Sequence, residues 1–454
     1  MNEQQNQKIE YITTIPIRPL VIKLAIPTII SQLVTSFYNM ADTFFVGKLN
    51  TSAVAAVGLV FSVMSIIQAC GFFFGHGSGN FVSRELGKKR IEDASKMAST
   101  GFFCALICGF IIMALGLIFL TPLSILLGST KTMLPYTKEY LSIILLGAPY
   151  MTASLVLNNQ LRFQGSTQYA MIGLVSGAII NIGLDPLFIF VFDMGVAGAA
   201  WATILSQFVS FLLLLMGSMR GGNIKIRFRN FTPSWFYAKE IVRGGTPSLC
   251  RQGLGSLSTI ILNTCAAGYG DAAVAAMSIA TRIMYFALSV VLGIGQGFQP
   301  VCGFNYGAQK FTRVREAFYY TVKITTVLAA VFSVAGLLFA PYVIPLFRDD
   351  PEVVQYGVVI FRLQAATFWT VAWVTISNMM LQTIGSTAAA SFLAVSRNFV
   401  FFIPTILVLP IFVDFWGIML AQPIADVFSF AVALIIQLRA LKKMQDAVDH
   451  GLAE

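Results

Sequence analysis

Long apolar blocks separated by short polar connections run the length of the chain. Phe102 to Leu120 carries no charge at all, and Val209–Met216, Ile324–Ala340 and Phe399–Val413 lie in blocks of the same kind. Crossing a bilayer takes about 20 apolar residues at 1.5 Å each. By that measure the pattern predicts twelve spans, at about 20–46, 53–75, 94–119, 136–159, 168–192, 196–217, 240–268, 273–299, 315–340, 353–380, 390–412 and 416–438. Helices are the expected form, because each satisfies its own backbone hydrogen bonds in lipid. A barrel would show short alternating segments, and the sequence has none.

The spans repeat. Adding 220 to a position in the first half finds its counterpart in the second: Pro27 pairs with Pro247, Val54-Ala55-Ala56 with Val274-Ala275-Ala276, and Met64 with Met284. Gly75, Gly77 and Gly87 pair with Gly295, Gly297 and Gly307; Asn158 pairs with Asn378, and Gly165-Ser166-Thr167 with Gly385-Ser386-Thr387. The register slips by one near the end, where Gly198 pairs with Gly417. The expected fold is therefore all-α and integral to the membrane, twelve transmembrane helices in two pseudo-symmetric six-helix bundles. An even number of spans per copy keeps both copies in one orientation, as in transporters built from parallel repeats. The division expected is an N-lobe over 1–219, a cytoplasmic linker over 220–239, a C-lobe over 240–438 and a cytoplasmic tail over 439–454.

Composition agrees with a membrane protein. Hydrophobic residues make up 57% and charged residues 11%, against roughly 45–50% and about 25% in soluble domains. The net charge of +10 does not point to nucleic acid, because the basic residues sit between apolar blocks. Arg84, Lys88, Lys89 and Arg90 follow the second span, Arg220 to Arg229 the sixth, Lys310 to Arg315 the eighth, and Arg439, Lys442 and Lys443 the last. The opposite connections are poor in Lys and Arg, which places both termini in the cytoplasm. The first nineteen residues are polar and charged, and no small-residue cleavage site marks a removed signal peptide. Six cysteines scattered without a CxxC pair read as packing residues, and two distant histidines offer no metal ligand set.

Ionisable residues deep in spans mark ion or substrate pathways by default. Asp42 lies in the first span and Asp185 in the fifth, with Asn181 one turn before Asp185 on the same helix face. Two carboxylates close together in a low dielectric resist being ionised at the same time without a counter-cation. Such a pair can take a proton or Na⁺ from outside and exchange it when the cavity reopens. The second half lacks this feature, since Leu262 and Thr405 stand at the equivalent positions. Arg251, Arg282, Arg362 and Arg397 lie in or near its spans, and are expected to pair with carbonyls or to reach the interface. Asp426 is read as structural. The Gly75-His76-Gly77-Ser78-Gly79 run lacks the GK[ST] ending of a phosphate loop, and its echo at Gly295 and Gly297 points to a helix-end turn or close packing. Met and Phe are abundant, at 17 and 39 residues, and a cleft lined by them suits varied flat substrates. Asn158, Met64 and Met284 are assigned to that substrate cavity.

The pattern Pro27 … Tyr38-Asn39-Met40-Ala41-Asp42-Thr43 … Gly47, with Ser83-Arg84-Glu85-Leu86-Gly87, Asn181-x-x-x-Asp185 and the doubled Gly-Ser-Thr, resembles the multidrug and toxic compound extrusion (MATE) family over essentially the whole chain. The resemblance implies a polyspecific exporter that exchanges organic cations for Na⁺ or H⁺. It places a cation site on Asp42, Asn181, Asp185 and Thr203, with Tyr38 and Tyr140 taking part and Pro27 as the hinge. The NorM-type branch carries acids in the seventh and tenth spans; here the seventh offers Arg251 and Gln252 and the tenth no acid in its core. The chain is more similar to the DinF/MepA-type branch.

The leading expectation is a monomeric multidrug antiporter in the plasma membrane of a prokaryote, embedded in the lipid bilayer. Its substrates are small amphipathic organic molecules, mostly cationic. It binds no nucleic acid and no cofactor, and no metal other than Na⁺, with H⁺ or Na⁺ as coupling ion. The alternative is a flippase of lipid-linked precursors from the same wider superfamily, favoured by the cationic second half and opposed by the acidic first. A channel would more often show a pore motif, and a receptor a sizeable soluble domain. An enzyme is not expected, since no nucleophile–base or metal set is visible.

Overall fold

A computed structural model describes residues 3–453. The outermost residues of the expected N-lobe and tail, 1–2 and 454, lie outside the described residues. A short helix α1 (Glu3–Thr14) precedes the spans, followed by α2 (Ile17–Val46), α3 (Thr51–Gly87), α4 (Ile91–Ile118) and the short α5 (Leu120–Leu126). Then come α6 (Leu134–Phe163), α7 (Thr167–Pro186), a π-helical turn Leu187–Val191, and α8 (Gly195–Ser218). The second half repeats this order with α9 (Trp235–Ala267), α10 (Asp271–Gly307), α11 (Phe311–Val343) and α12 (Pro351–Thr383). Its fifth span is made of α13 (Thr387–Val395), a π turn Ser396–Phe402 and α14 (Ile403–Val413), and its sixth is α15 (Phe415–Asp449). The described residues contain helices and turns and no strand.

All twelve expected spans coincide with helices. Eleven are long and apolar enough to cross a membrane. The twelfth, α9, has 33 residues but carries Lys239, Glu240, Arg243 and Arg251 along its length. Helix α15 runs on to Asp449, so most of the segment expected as a tail is helical.

By packing, the chain forms two compact units, one of Met1–Thr14 and Ile30–Gly245, the other of Ile15–Ile29 and Thr246–Glu454. The boundary crosses α2 between Ile29 and Ile30, just after Pro27, and crosses α9 between Gly245 and Thr246, just before Pro247. A proline inside a helix cannot donate to the carbonyl four residues back, so each crossing falls where the helical ladder is already interrupted. The expected linker also belongs to the first unit. There Gln164 Oε1 accepts from Ile224 N at 2.6 Å, and Thr100 and Thr232 exchange two hydrogen bonds.

Each unit is built around one buried helix. In the first it is α6, which packs on α3, α4 and α8; in the second it is α12, which packs on α10, α11 and α15. Leu141, Ile144, Leu145 and Ala148 of α6 are closed off completely, as are Ile360 and Ala372 of α12. Glycines set how closely the helices approach. A Cβ on Gly77 would lie 2.4 Å from the carbonyl oxygen of Ile241, and one on its twin Gly297 2.5 Å from the backbone of Ala25. The glycine run at 75–79 therefore serves close packing within a continuous helix; it is not a helix-end turn.

Candidate functional site

Four helices of the first unit bring the candidate cation site together. Tyr38 and Asp42 sit one turn apart on α2, Tyr140 comes from α6, Asn181 and Asp185 from α7, and Thr203 from α8. Tyr140, Asn181, Asp185 and Thr203 are buried, while Tyr38 and Asp42 are half-buried. Asp185 is placed by a local break. Pro186 follows it, and the chain then enters the π turn Leu187–Val191, of the kind often found at functional positions. Gly198 of α8 fits against that turn, where a Cβ would meet Phe188 O at 2.7 Å.

The hydrogen bonds leave the two acids under-supplied. With its amide turned to suit both neighbours, Asn181 donates to Asp185 Oδ2 at 2.9 Å and accepts from Thr203 N at 3.3 Å. The Thr203 hydroxyl donates to Ala199 O at 3.0 Å, and the phenols of Tyr38 and Tyr140 lie close enough to both carboxylates to act on them electrostatically. Asp42 Oδ1 and Asp185 Oδ1 are each buried with no hydrogen-bond donor among the described residues. The two carboxylates lie close enough to act on each other electrostatically. No cationic side chain is among the described groups acting on either one. Two carboxylates that each keep one buried oxygen without a donor form an arrangement that a proton or a bare monovalent cation can complete.

Each residue expected to line a substrate cavity sits within its own unit. The Asn158 amide donates to Ala170 O at 3.0 Å, and its twin Asn378 donates to Ala390 O at 2.6 Å. Both tie the fourth span of a half to its fifth, a bracing role that the repeat itself explains. Met64 and Met284 are half-buried at the margins of the apolar cores of their own units.

The cationic residues of the second half separate into distinct cases. Arg397 Nε donates to Asp426 Oδ1 at 2.7 Å, and Gln422 donates to the same oxygen at 2.9 Å. Arg397 is thus held by an acid rather than by a carbonyl or the interface, and Asp426 has a structural partner. Arg362 Nε donates to Leu337 O at 3.0 Å, the carbonyl pairing expected of it. Arg251 Nη1 donates to Asn378 Oδ1 at 3.3 Å, and Arg282 is exposed. The Arg397–Asp426 pair has a sequence signal, since the fifth and sixth spans of each half are neighbours and each carries one charge there.

Sequence reasoning also missed the docking of α1. Ile9 and Ile12 are buried, and Lys8 Nζ donates to Ser166 Oγ at 2.5 Å and Asn223 Oδ1 at 2.6 Å. Burial lowers the Lys8 ammonium from 10.5 to about 7.

The MatE family model matches residues 27–187 and again 247–429, and the two matches begin 220 residues apart. The multidrug export protein MepA of Staphylococcus aureus (strain N315) is 24% identical over 434 residues, covering 95% of this chain and 96% of that protein. Two crystal structures described as MATE in a straight and in a bent conformation align with TM-scores of 0.91 and 0.90. Each is 26% identical and covers 97% of this chain and 99% of its own. Twelve helical spans, a duplicated bundle and a family match in each half lead to one conclusion: the chain belongs to the MatE family of membrane transporters.

Proposed function

We propose that this protein is a multidrug exporter of the plasma membrane, with both termini cytoplasmic, that expels amphipathic, mostly cationic compounds in exchange for H⁺ or Na⁺. The observation that carries the coupling is the pair of donor-free oxygens on Asp42 and Asp185, with no cationic side chain among the described groups that act on them. An incoming H⁺ or Na⁺ and an organic cation compete for the same negative charge, so loading of one expels the other. Each elementary charge moved inward is driven by about 2.3 kcal/mol per 100 mV of membrane potential. Pro27 is the hinge: it interrupts α2 where the helix passes from one unit to the other. Straight and bent forms of similar proteins support that role.

The test is efflux of a fluorescent cation from proteoliposomes under Na⁺ and pH gradients imposed separately. Asp42→Asn and Asp185→Asn should abolish gradient-driven efflux while the protein remains monodisperse and helical. Full gradient-driven efflux in both variants would overturn the coupling role. The flippase reading loses part of its basis, because Arg397 is already paired with Asp426; a lipid-flipping assay in the same vesicles separates the two readings.

A further inference from the structure

The second unit carries a cluster that the first half lacks at the equivalent positions. Arg251 on α9 and Arg282 and Tyr285 on α10 stand where the first half has Ser31, Ser62 and Ser65. Three serines are thus replaced by two arginines and a tyrosine, while the Asn158 and Asn378 braces between the fourth and fifth spans are the same in both halves. Arg251 is the midpoint of the 33-residue α9, eight residues past Arg243, about 12 Å along the axis from the nearest preceding charge of that helix.

The charge meets no acid among the described residues. Among the described residues the ion pairs involve Arg84, Lys88, Arg90, Lys96, Arg243 and Arg397, and none involves Arg251 or Arg282. The guanidinium of Arg251 donates one hydrogen bond to the neutral Asn378 Oδ1, out of five N–H groups. Tyr285 lies close enough to act on it electrostatically and is itself 58% exposed, one turn from the exposed Arg282. A structural arginine deep in a span is expected to be paired with an acid or to have its donors on carbonyls, as Arg397 and Arg362 are in this same unit. Arg251 is neither.

We infer that Arg251, with Tyr285, forms an oxyanion-binding site in the second unit that takes the carboxylate or phosphate of an amphipathic substrate. A planar fork of donors pre-oriented by Asn378 matches two oxygens of such a group, and the phenol adds a third donor. The inference rests on the efflux reading for its substrate class, and it extends that class from simple cations to zwitterions.

The test compares rhodamine B, which carries a free carboxylate on a cationic fluorophore, with rhodamine B ethyl ester, in which that carboxylate is blocked. Binding to the purified full-length protein is measured by fluorescence anisotropy, with lysophosphatidate as competitor. Arg251→Gln should weaken rhodamine B binding about tenfold, the loss of one charge-assisted contact, and leave ester binding unchanged. Arg251→Lys, which keeps the charge but not the fork, should fall between. If rhodamine B is unaffected but lysophosphatidate loses its competition in Arg251→Gln, the site is assigned to phosphate. If neither depends on Arg251, or if ester and acid weaken together, the inference is overturned. The ester reports on folding, and because no gradient is applied the result is independent of coupling at Asp42 and Asp185.

Discussion

Removing one partner of the Arg397–Asp426 pair should cost far more than removing both. Asp426 is buried, and the pair closes at 2.7 Å, with the Arg397 side chain 26% exposed. Stranding one member of a buried pair costs about 3–5 kcal/mol, whereas replacing both by apolar residues of similar volume is close to neutral. The two single variants should not be equal. Arg397→Leu strands a buried carboxylate that keeps only Gln422 as donor, so the loss should fall near the lower end, at about 3 kcal/mol. Asp426→Leu strands a guanidinium that is already exposed in part, so about 2 kcal/mol is expected. The double variant should lie within about 1 kcal/mol of the wild type, giving a coupling energy of about 4 kcal/mol. Thermal unfolding of the purified protein in detergent, read by intrinsic fluorescence, provides the ordering directly. Additive losses in the double variant would refute the pairing. Efflux assays on the same three proteins separate structure from transport: a stable double variant that fails to export would make Asp426 a transport residue.

Three further outcomes follow from individual contacts. Gly77→Ala and Gly297→Ala should each destabilise by about 1–3 kcal/mol, because their Cβ atoms would fall 2.4 and 2.5 Å from backbone atoms; Gly183→Ala, with nothing within 4 Å, should melt like the wild type. Docking of α1 should strengthen with pH between about 7 and 10.5, since burial lowers the Lys8 ammonium across that window and the docked state then holds the proton less tightly than the free helix. Hydrogen exchange over Glu3–Thr14, corrected for intrinsic rates, should show more protection at pH 9 than at pH 6, and Lys8→Met should remove the difference. Pro27→Ala restores a backbone donor in α2; it should slow turnover without weakening equilibrium binding of a fluorescent cation, and unchanged turnover would remove Pro27 from the hinge role.

Most of the fold was legible because lipid leaves the backbone few choices. Apolar blocks of sufficient length must be helices, and all twelve are found where the pattern puts them. The limits of that reasoning are as physical as its success. Helix α1 carries Glu3, Lys8 and Glu10, so hydropathy alone gives no sign of it; its burial depends on Ile9 and Ile12 meeting a surface distant in sequence. Asp42 and Asp185 stood out because a charge in a span is expensive whatever surrounds it. Thr203, Tyr38 and Tyr140 are ordinary residues for a span, and only family resemblance singled them out. Composition likewise could not sort the four arginines of the second half, since one is ion-paired, one holds a carbonyl, and two meet no acid among the described residues.

The repeat offers a way to tell scaffold from site without an alignment. A bracing contact that both copies share keeps its residues paired with their twins, whereas one acquired after the duplication, such as Arg397–Asp426 with Gly177 at the position equivalent to Arg397, does not. Gly77 and Gly297 are of the shared kind, each against the backbone of another helix, and so are Asn158 and Asn378, each on the carbonyl twelve residues on. A residue that meets a ligand is needed only where that ligand binds, so its twin is free to change. Tyr38, Asp42, Tyr140, Asn181 and Asp185 correspond to Ser258, Leu262, Ile360, Phe401 and Thr405 at the equivalent positions, and not one is retained. By the same rule Asn158 belongs to the scaffold, which is where its hydrogen bond puts it. Arg251 and Tyr285 fall with the sites, because their twins are serines and, unlike Arg397, Arg251 has no acid partner among the described residues. These two groups thus diverge in opposite senses, toward acid in the first unit and toward base in the second, on a frame whose shared glycine and asparagine braces did not change.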